Sequence, residues 1–303
     1  MTAPLFFIVN PRAGLGLRRF STIAAKLRKA GVPFSAAATL GPGDATALAR
    51  LARHGAFGAI VCVGGDGTLN EVVNGLATAN GEIEPGIVLG IIPSGTATDF
   101  ARGAGIPLSR DAAVERLLGG QTMDVDVGRI RFGDGRVRLF MNMLGAGFDA
   151  EVAGRAQDVR GAISSIPAHV VGFASALAAY QNKHIAITFG GDDGGSARVR
   201  ANMVVAANGP SYAGVLRLAP AAQLDDGLLD VVVVGDLDRI ELLVNLQRVF
   251  AGTHLGHEKV AIYRVPSLWL ESDEGALVHA DGDVVGQLPA QVDILPRALR
   301  LIH

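Results

Sequence analysis

Residues 60–76, IVCVGGDGTLNEVVNGL, constrain the fold more than any other stretch of the chain. An apolar run stops at a double glycine, and an Asp-Gly pair follows it. Apolar residues then recur at helical spacing, so the segment predicts a strand, a glycine loop and the start of a helix. We expect Thr68 to cap this helix and Glu71 to reach back to the cap, as in a capping box.

The glycine loop, residues 64–67, has the form of a phosphate-binding element. A helix N-terminus presents free N–H groups and the positive end of a dipole, which suits a phosphate. Glycine has no Cβ, so the backbone can approach a ligand closely. The loop is not a P-loop, because no Gly-Lys-Ser/Thr follows, and it lacks the spacing of the dinucleotide fingerprint. The alternative is an ordinary turn between a strand and a helix that binds no ligand.

The first 120 residues alternate strand and helix signals, which predicts an α/β domain with a parallel sheet and helices on both faces. Ligands in such sheets bind beyond the carboxyl ends of the strands. The expected strands are Leu5–Val9, Phe34–Thr39, Ala59–Val63 and Ile87–Ile92.

The pattern changes near residue 122, where short strand candidates separated by Gly and Asp turns become dominant. These indicate a mainly β, antiparallel and sandwich-like domain, with helical inserts near residues 162–181 and 237–250. We therefore predict an α/β domain over residues 1–121 and a β-rich domain over residues 122–296. Residues 297–303 are expected to return to the first domain as a strand.

Composition limits the partners and the compartment. The formal net charge is −2 at pH 7 over 303 residues, so no basic field favours a nucleic acid partner. The one cysteine, Cys62, excludes a disulfide within the chain, which agrees with a reducing compartment. No apolar run approaches the roughly 18 residues that span a bilayer, and the first residues lack signal-peptide features. We expect a cytoplasmic protein.

Three further segments could carry chemistry. Residues 93–100, PSGTATDF, have the form of a cap that opens a helix, and we interpret them as a second donor loop facing the glycine loop. Residues 223–230, QLDDGLLD, and 279–283, HADGD, place acidic residues beside apolar runs. The alternatives are structural capping in the first segment and ordinary turns in the other two, because Asp-Gly is a frequent turn and hairpin signal.

These motifs together resemble the diacylglycerol kinase catalytic-domain family of bacterial lipid kinases, which is related to sphingosine and ceramide kinases. Residues 64–68, GGDGT, are similar to the signature that lipid kinases share with NAD kinases and phosphofructokinases. The continuation over residues 69–75, LNEVVNG, is more specific and resembles the lipid kinases. The later motifs follow in the family's order, so the resemblance covers nearly the whole chain.

Two positions depart from the family pattern. Residues 93–100 resemble P-x-G-T-x-N-D-F, but Thr98 stands where Asn is usual, and a hydroxyl makes fewer hydrogen bonds than an amide. Residues 281–283 resemble D-G-E, but Asp283 replaces Glu and has about 1.5 Å less reach. Because a misplacement of about 1 Å can lower a rate roughly 10²-fold, Asp283 is the departure with the larger expected effect on activity.

For the first domain, the resemblance implies a site for the phosphates of ATP. Residues 10–14, NPRAG, resemble the family's NPxxG element, and Thr39 lies by position where the family approaches the nucleotide. The implied nucleotide contacts are Asn10, Thr39, Gly64, Gly65, Asp66, Gly67, Thr68, Asn70, Gly95 and Thr96.

For residues 223–228, the resemblance implies a structural Mg²⁺ site. The carboxylate of Asp226 and the carbonyls of Gln223 and Leu228 would hold the ion. Oxygen ligands completed by water are the preference of Mg²⁺.

For the acceptor, the resemblance implies that Asp281 and Asp283 take the proton of the substrate hydroxyl and help to hold Mg²⁺. Asp66 would complete the catalytic carboxylates through a contact with Mg²⁺ or phosphate. The apolar strands and the 162–181 helix of the second domain would cradle the acyl chains, with the nucleotide in the cleft between domains.

The chain is thus interpreted as an ATP- and Mg²⁺-dependent lipid kinase that transfers the γ-phosphate to a lipid hydroxyl, such as that of diacylglycerol. A water-insoluble acceptor implies transient, peripheral docking on the inner face of the membrane. Two alternatives stay open: an NAD kinase-like enzyme with the same loop, and a degenerate relative that binds nucleotide or lipid and has a regulatory role. The lipid, the choice of ATP over GTP and the formation of a homodimer also stay open.

Overall fold

Strands and helices of two compact units account for most of the chain. The computed structural model describes residues 3–13, 17–159, 165–191, 194–212, 214 and 216–303. The first unit comprises Met1–Val127, Leu224–Asp226 and Leu295–His303, and the second comprises Gly128–Gln223 and Gly227–Ile294. The boundary that we place after residue 121 stays a prediction.

The strands and helices have the following bounds. The strands are β1 (Leu5–Val9), β2 (Phe34–Ala38), β3 (Ala59–Gly64), β4 (Val88–Pro93), β5 (Thr122–Phe132), β6 (Val137–Phe140), β7 (Met143–Gly147), β8 (Lys183–Phe189), β9 (Ser196–Ala201), β10 (Met203–Ala207), β11 (Leu229–Val234), β12 (Val260–Val265), β13 (Ser267–Glu271), β14 (Leu277–Ala280), β15 (Asp283–Gln287) and β16 (Ala290–Ile302). The helices are α1 (Leu17–Lys29), α2 (Asp44–Ala52), α3 (Asp66–Leu76), α4 (Asp99–Gly103), α5 (Arg110–Gly119), α6 (Phe148–Val159), α7 (Ser165–Ala179) and α8 (Arg239–Ala251).

The first unit is built on a parallel sheet in the order β2-β1-β3-β4. Arg300 and Leu301, at the end of β16, pair in parallel with Val88 and Leu89 of β4. Every residue of β3 is buried, as expected for a central parallel strand that is covered on both faces. The predicted α/β architecture is confirmed.

The second unit has an antiparallel sheet in the order β12-β11-β10-β7-β14-β15. Strands β16, β13, β8 and β9 form a second antiparallel set. One core cluster contains buried side chains of both sets, among them Leu144, Val204 and Val231 with Ile187, Leu268 and Val292. Two sheets that share one apolar core form a sandwich, so the predicted β-rich fold is also confirmed.

Helices interrupt the second unit where apolar periodicity predicts them, with one addition. Helix α8 corresponds to the insert predicted over residues 237–250, and α7 corresponds to the one over residues 162–181, of which 162–164 lie outside the described residues. Helix α6 was not predicted. It packs against α7 closely enough that a Cβ at Gly172 would lie 2.6 Å from the carbonyl oxygen of Val152. In the described parts of the chain, no helix combines the length and the apolar character that crossing a bilayer would require.

The capping box predicted for Thr68 and Glu71 is wrong. Helix α3 begins earlier, at Asp66, and its N-cap Gly65 makes no side-chain cap. Glu71 instead accepts hydrogen bonds from the backbone N–H groups of Gly43, at 3.0 Å, and Ala45, at 3.1 Å. Its carboxylate therefore lies at the N-terminus of α2, where the helix dipole favours a negative charge.

A helix opens within residues 96–99 as predicted, but the side-chain cap predicted there is wrong. Helix α4 begins at Asp99, and its N-cap, Thr98, makes no side-chain cap and has a φ of 53°. The Thr98 hydroxyl donates to the carbonyl of Ala97 at 2.7 Å. A β-branched residue is rare in this left-handed region because its Cβ crowds the backbone, whereas Asn is enriched there. The Asn that is usual in the family therefore suits the backbone conformation of this position.

We expect the substitution Thr98→Asn to raise the free energy of unfolding by about 1 kcal/mol, because Asn tolerates the left-handed conformation better. Urea denaturation of the variant and the parent protein measures the difference. Thr98→Val is the matched control: it keeps the branched Cβ and loses the hydroxyl, and it should be less stable than the parent protein. An Asn variant no more stable than the parent protein would contradict the assignment of strain to Thr98.

Candidate active site

Three loops meet at the carboxyl ends of strands β1, β3 and β4. The N–H of Asn10, just after β1, donates to the carbonyl of Val63 in β3 at 2.9 Å. The N–H of Ser94, just after β4, donates to the carbonyl of Gly64 at 2.9 Å. These bonds bring Asn10 of the predicted NPRAG segment, whose Gly14 lies outside the described residues, and the GGDGT and PSGTATDF segments to one edge of the sheet, where parallel sheets bind ligands.

Asn10 and Thr68, both predicted to contact nucleotide, are in contact with each other. The Asn10 amide donates to the Thr68 hydroxyl at 2.9 Å, and its oxygen accepts from the N–H of Arg12 at 3.0 Å. The pair fixes the loop after β1 to the first turn of α3. Their contact with nucleotide stays a prediction.

Asp66 joins the two loops predicted to face each other. Its carboxylate accepts hydrogen bonds from the N–H groups of Asp99 and Phe100, both at 3.1 Å. These are the first residues of α4, so Asp66 supplies the cap that Thr96 and Thr98 do not. The structure thus gives Asp66 a role in positioning the second loop, while the predicted contact with Mg²⁺ or phosphate stays a prediction.

The glycines of the two loops differ in the space around them. A Cβ at Gly95 would lie 2.5 Å from the Cα of Gly65, and one at Gly64 would lie 2.5 Å from the Cβ of Thr68. Close packing therefore requires these three glycines. Around Gly67, by contrast, none of the described atoms lies within 4 Å of such a Cβ. Gly67 is the glycine that leaves room for a ligand.

The first turn of α3 has the features of an anion site. The first hydrogen bond of the helix runs from the N–H of Leu69 to the carbonyl of Gly65 at 3.0 Å, so the N–H groups before Leu69 have no acceptor within the helix. Gly67 in this turn and Thr96 in the neighbouring loop are both exposed. The turn can therefore receive a phosphate from solvent.

Thr39 and Asn70, the other predicted nucleotide contacts, are buried. The N–H of Thr39 donates to the carbonyl of Val9 at 2.9 Å. The side-chain oxygen of Asn70 accepts from the Asn74 amide at 3.1 Å. Both residues therefore help to hold the β1–β2 pair and α3 in place, and their contact with nucleotide stays a prediction.

Cys62, in β3, is a buried free thiol. Burial raises the pKa of this thiol, and the nearby charges of Asp66 and Glu71 raise the pKa further. A buried thiol with a raised pKa is a poor nucleophile, and Cys62 packs as a small apolar side chain in β3.

In the second unit, three backbone N–H groups bind the carboxylate of Asp281. They belong to Met141, at 2.7 Å, Asn142, at 2.9 Å, and Met143, at 3.1 Å, and they use both oxygens. Asp281 has a φ of 49°, a conformation in which Asp is enriched. The carboxylate therefore fixes the β14–β15 turn against the connection between β6 and β7.

A buried histidine supports the same turn. His279 is 0% exposed, and its Nε2 lies 3.0 Å from Oδ2 of Asp149. The N–H of Gly282 donates to Nδ1 at 3.2 Å, so the neutral ring carries its proton on Nε2 and donates it to Asp149. The ring of Tyr212 stacks on the imidazole with centroids 5.3 Å apart.

Sequence reasoning missed this histidine pair. His279 stands two residues before Asp281 in the HADGD motif, and this proximity could have singled it out. Asp149 has no such signal, because 130 residues separate it from its partner. Gly145 makes room for the pair: a Cβ there would lie 1.6 Å from Oδ2 of Asp149.

Asp283 begins β15, next to the fixed turn. Gln157 of α6, another residue that sequence reasoning missed, donates to Oδ1 of Asp283 at 3.1 Å and to the carbonyl of Gly282 at 3.4 Å. A cavity of about 400 Å³ borders Asp283 and is also lined by Phe132 and Arg138. The structure therefore brings Asp281 and Asp283 together in one turn, as their proximity in the sequence requires.

The predicted Mg²⁺ ligands offer oxygen atoms only. Asp226 belongs to the first unit, and Gln223 and Leu228 belong to the second. In the described residues, no cluster of three or more His, Cys, Asp or Glu side chains could hold a metal ion. One carboxylate and two backbone carbonyls fit the preference of Mg²⁺ for oxygen ligands when water completes the shell. The ion site itself stays a prediction.

Two family models match the chain. The diacylglycerol kinase catalytic domain matches residues 4–130, and the YegS C-terminal NAD kinase beta sandwich-like domain matches residues 142–303. A diacylglycerol kinase of Staphylococcus carnosus (strain TM300) is 31% identical over 285 residues, which cover 93% of this chain and 89% of the relative. A diacylglycerol kinase of Staphylococcus aureus (strain JH9) is 31% identical over 286 residues, covering 93% and 87%.

Solved structures agree with these matches. A crystal structure of a Bacillus anthracis str. Sterne protein, described provisionally as a diacylglycerol kinase, has a TM-score of 0.78 and 25% identity. The alignment covers 99% of this chain and 97% of that one. A second structure of such a protein from the same organism has a TM-score of 0.77, again at 25% identity. With both domains matched and kinase relatives similar over almost its whole length, the chain belongs to the diacylglycerol kinase family.

Proposed function

We propose that the chain is an ATP-dependent lipid kinase that transfers the γ-phosphate to a hydroxyl of a lipid such as diacylglycerol. The observation that carries this proposal is the pair of loops tied by Asp66, with Gly67 and Thr96 exposed, in a chain of the diacylglycerol kinase family. Phosphoryl transfer depends mainly on positioning and on stabilisation of charge. Loops held by fixed backbone bonds provide the positioning.

In the first unit, the first turn of α3 would hold the nucleotide phosphates. The N–H groups of this turn and the dipole of α3 favour negative charge. Besides its predicted contact with Mg²⁺ or phosphate, Asp66 keeps the Gly95-Thr96 loop against the glycine loop through its two bonds to α4. Mg²⁺, when bound, would neutralise charge on the β- and γ-phosphate oxygens.

In the second unit, we assign different roles to Asp281 and Asp283 at the acceptor hydroxyl. Asp281 has both oxygens bound by backbone N–H groups, so we assign it to positioning of the turn. Asp283 follows in the turn at the position of the family's Glu and borders a cavity. We assign to Asp283 the orientation of the attacking hydroxyl, which phosphoryl transfer requires of one carboxylate.

A specific observation favours one second candidate function. The model that matches residues 142–303 describes an NAD kinase beta sandwich-like domain. NAD also presents a hydroxyl for phosphorylation, and it is soluble in water. A test of the lipid kinase must therefore include NAD as an acceptor.

The test follows the radiolabelled γ-phosphate of ATP, with Mg²⁺, into hydroxyl lipids in mixed micelles and into NAD. We expect label in one lipid, a loss of roughly 10²-fold or more with Asp283→Asn, and activity at least equal to the parent protein with Asp283→Glu, which restores the longer side chain. Label in NAD alone would move the protein to the second candidate. Binding of ATP without transfer to any acceptor would overturn both.

A second prediction separates ligand contact from loop packing. Gly67→Ala should leave the protein as stable as the parent or more so, because Ala favours a helix by about 1 kcal/mol over Gly. It should raise the KM for ATP roughly 10-fold, because the added Cβ keeps the phosphate away from the N–H groups of the turn. A hydrogen bond to a charged group contributes about 1.5–3 kcal/mol. Gly95→Ala is the paired variant, and its Cβ would lie 2.5 Å from the Cα of Gly65, so it should lower the melting temperature. Equal effects of the two substitutions on stability would refute the distinction.

A third prediction concerns His279, which we assign to positioning of the acceptor turn. His279→Phe keeps an aromatic ring against Tyr212 and removes both nitrogen bonds, so kcat should fall about 10-fold or more while the KM for ATP changes little. Asp149→Asn keeps an oxygen that accepts from Nε2 but loses the acceptor of the Ala150 N–H, so its kcat should fall less than that of His279→Phe. Steady-state kinetics and thermal melts of both variants provide the measurement. A parallel rise in the KM for ATP, or an unchanged kcat, would count against this role.

A further inference from the structure

Gln157, on helix α6, contacts the carboxylate that we assign to the acceptor hydroxyl. Its Nε2 donates to Oδ1 of Asp283 at 3.1 Å and to the carbonyl of Gly282 at 3.4 Å. A glutamine amide nitrogen carries two hydrogens, so one group can serve both acceptors. The side chain of Asp283 is thereby tied to the backbone of the turn that carries it.

The short side chain of Asp283 makes this contact important. The torsion that turns an Asp carboxylate about its last bond is broad and is not confined to narrow wells. Asp283 stands where the family has Glu, and its reach is about 1.5 Å less. A carboxylate of limited reach must therefore be held in the direction of its partner, and a hydrogen bond to one oxygen restricts the rotation that would move the other.

Helix α6 holds the β14–β15 turn at two points. Near the start of the helix, Asp149 lies 3.0 Å from Nε2 of His279, whose Nδ1 accepts from the N–H of Gly282. About two helical turns later, Gln157 binds the carbonyl of the same glycine. Residues four positions apart lie on one face of a helix, and Ala153, midway between the two, is 1% exposed. One buried face of α6 therefore supplies both contacts.

The helix has fixed contacts of its own, so it can serve as a reference for the turn. Arg155 donates to the hydroxyl of Ser175, on α7, at 2.9 Å. On the side of β15, a Cβ at Gly154 would lie 3.5 Å from Cγ2 of Val284, which is ordinary van der Waals contact. Helix α6 thus packs directly on the strand whose first residue carries the acceptor carboxylate.

We propose that Gln157 is a positioning residue of the acceptor site, and that its hydrogen bond compensates for the shorter side chain of Asp283. The inference rests on the proposed function, in which Asp283 orients the attacking hydroxyl. It adds to that function the group that directs the carboxylate. The loss of this group should affect kcat rather than the binding of ATP, because a misplacement of about 1 Å in the reacting groups can lower a rate roughly 10²-fold.

Steady-state kinetics of the full chain test the proposal, with ATP, Mg²⁺ and the hydroxyl lipid that takes up label in the micelle assay. Gln157→Leu removes both amide N–H groups, so kcat should fall about 10-fold or more while the KM for ATP changes by less than about two-fold. Gln157→Glu places a second carboxylate against Asp283 and should lower kcat further, since like charges repel. The matched control, Ser175→Ala, removes a different hydrogen bond of α6, to Arg155, and should keep the kcat of the parent protein.

A double-mutant cycle with position 283 separates positioning of the carboxylate from support of the fold. If Gln157 acts through Asp283, Gln157→Leu should lower kcat much less in the Asp283→Asn background than in the parent protein, because groups in contact have non-additive effects. The longer side chain of Asp283→Glu needs less help to reach the hydroxyl, so Gln157→Leu should also lower kcat less in that background. A purely structural role would give the same loss of kcat in all three backgrounds.

Thermal melts show which variants fold, and Gln157→Met, which keeps an unbranched side chain without the amide, replaces Gln157→Leu if the latter does not. An unchanged kcat in Gln157→Leu, equal losses in the three backgrounds, or an equal loss in Ser175→Ala would each overturn the proposal while the lipid kinase stands. Failure of the proposed function gives a different result: the parent protein labels no lipid, or Asp283→Asn keeps full activity. The role of Gln157 then falls together with that of Asp283.

Discussion

The first unit depends on the side chains of one helix, α3, for the arrangement of its ligand-facing edge. Asp66 holds the start of α4 after β4, Thr68 holds Asn10 after β1, and Glu71 holds the start of α2 after β2. Loops at the end of a parallel sheet carry backbone N–H groups that need partners, and Asp66 and Glu71 of α3 accept from four of them here. The glycine loop before α3 is therefore the fixed reference from which the other loops take their positions.

Carboxylates act as anchors in both units, which bears on how a mutational scan should be interpreted. Asp66 and Asp281 each bind backbone N–H groups through both oxygens. Their removal would leave buried or half-buried N–H groups without partners, a loss of about 1–3 kcal/mol for each group. Loss of activity in such a variant would report the position of a loop rather than a chemical step. Conservative substitutions and measurements of stability distinguish the two.

The sequence predicted the elements better than the contacts between them. The apolar run, the glycines and the helical spacing after residue 64 predict β3 and the body of α3, because these signals are local, although α3 begins earlier than predicted, at Asp66. Thr68 and Glu71 were assigned to each other, but their partners lie 58 and 26–28 residues away. The bond between His279 and Asp149 spans 130 residues. No periodicity or capping rule carries information over such distances. The contact of His279 with Asp149, which supports the β14–β15 turn, is therefore visible only in the folded chain.

The use of β16 by both units has a consequence for synthesis on the ribosome. The first part of this strand pairs with β13 in the second unit, and its end pairs with β4 in the first. The N–H groups of residues 141–143 likewise cannot form their hydrogen bonds to Asp281 until that residue, 138–140 positions later in the chain, has been synthesised. Domains generally fold in the order in which they are made, but here neither the parallel strands of the first unit nor the β13-β8-β9 set of the second can pair fully until β16 emerges from the exit tunnel. A nascent chain that carries only the first 130 residues exposes the edge of β4, and an unpaired strand edge is prone to pair with other chains.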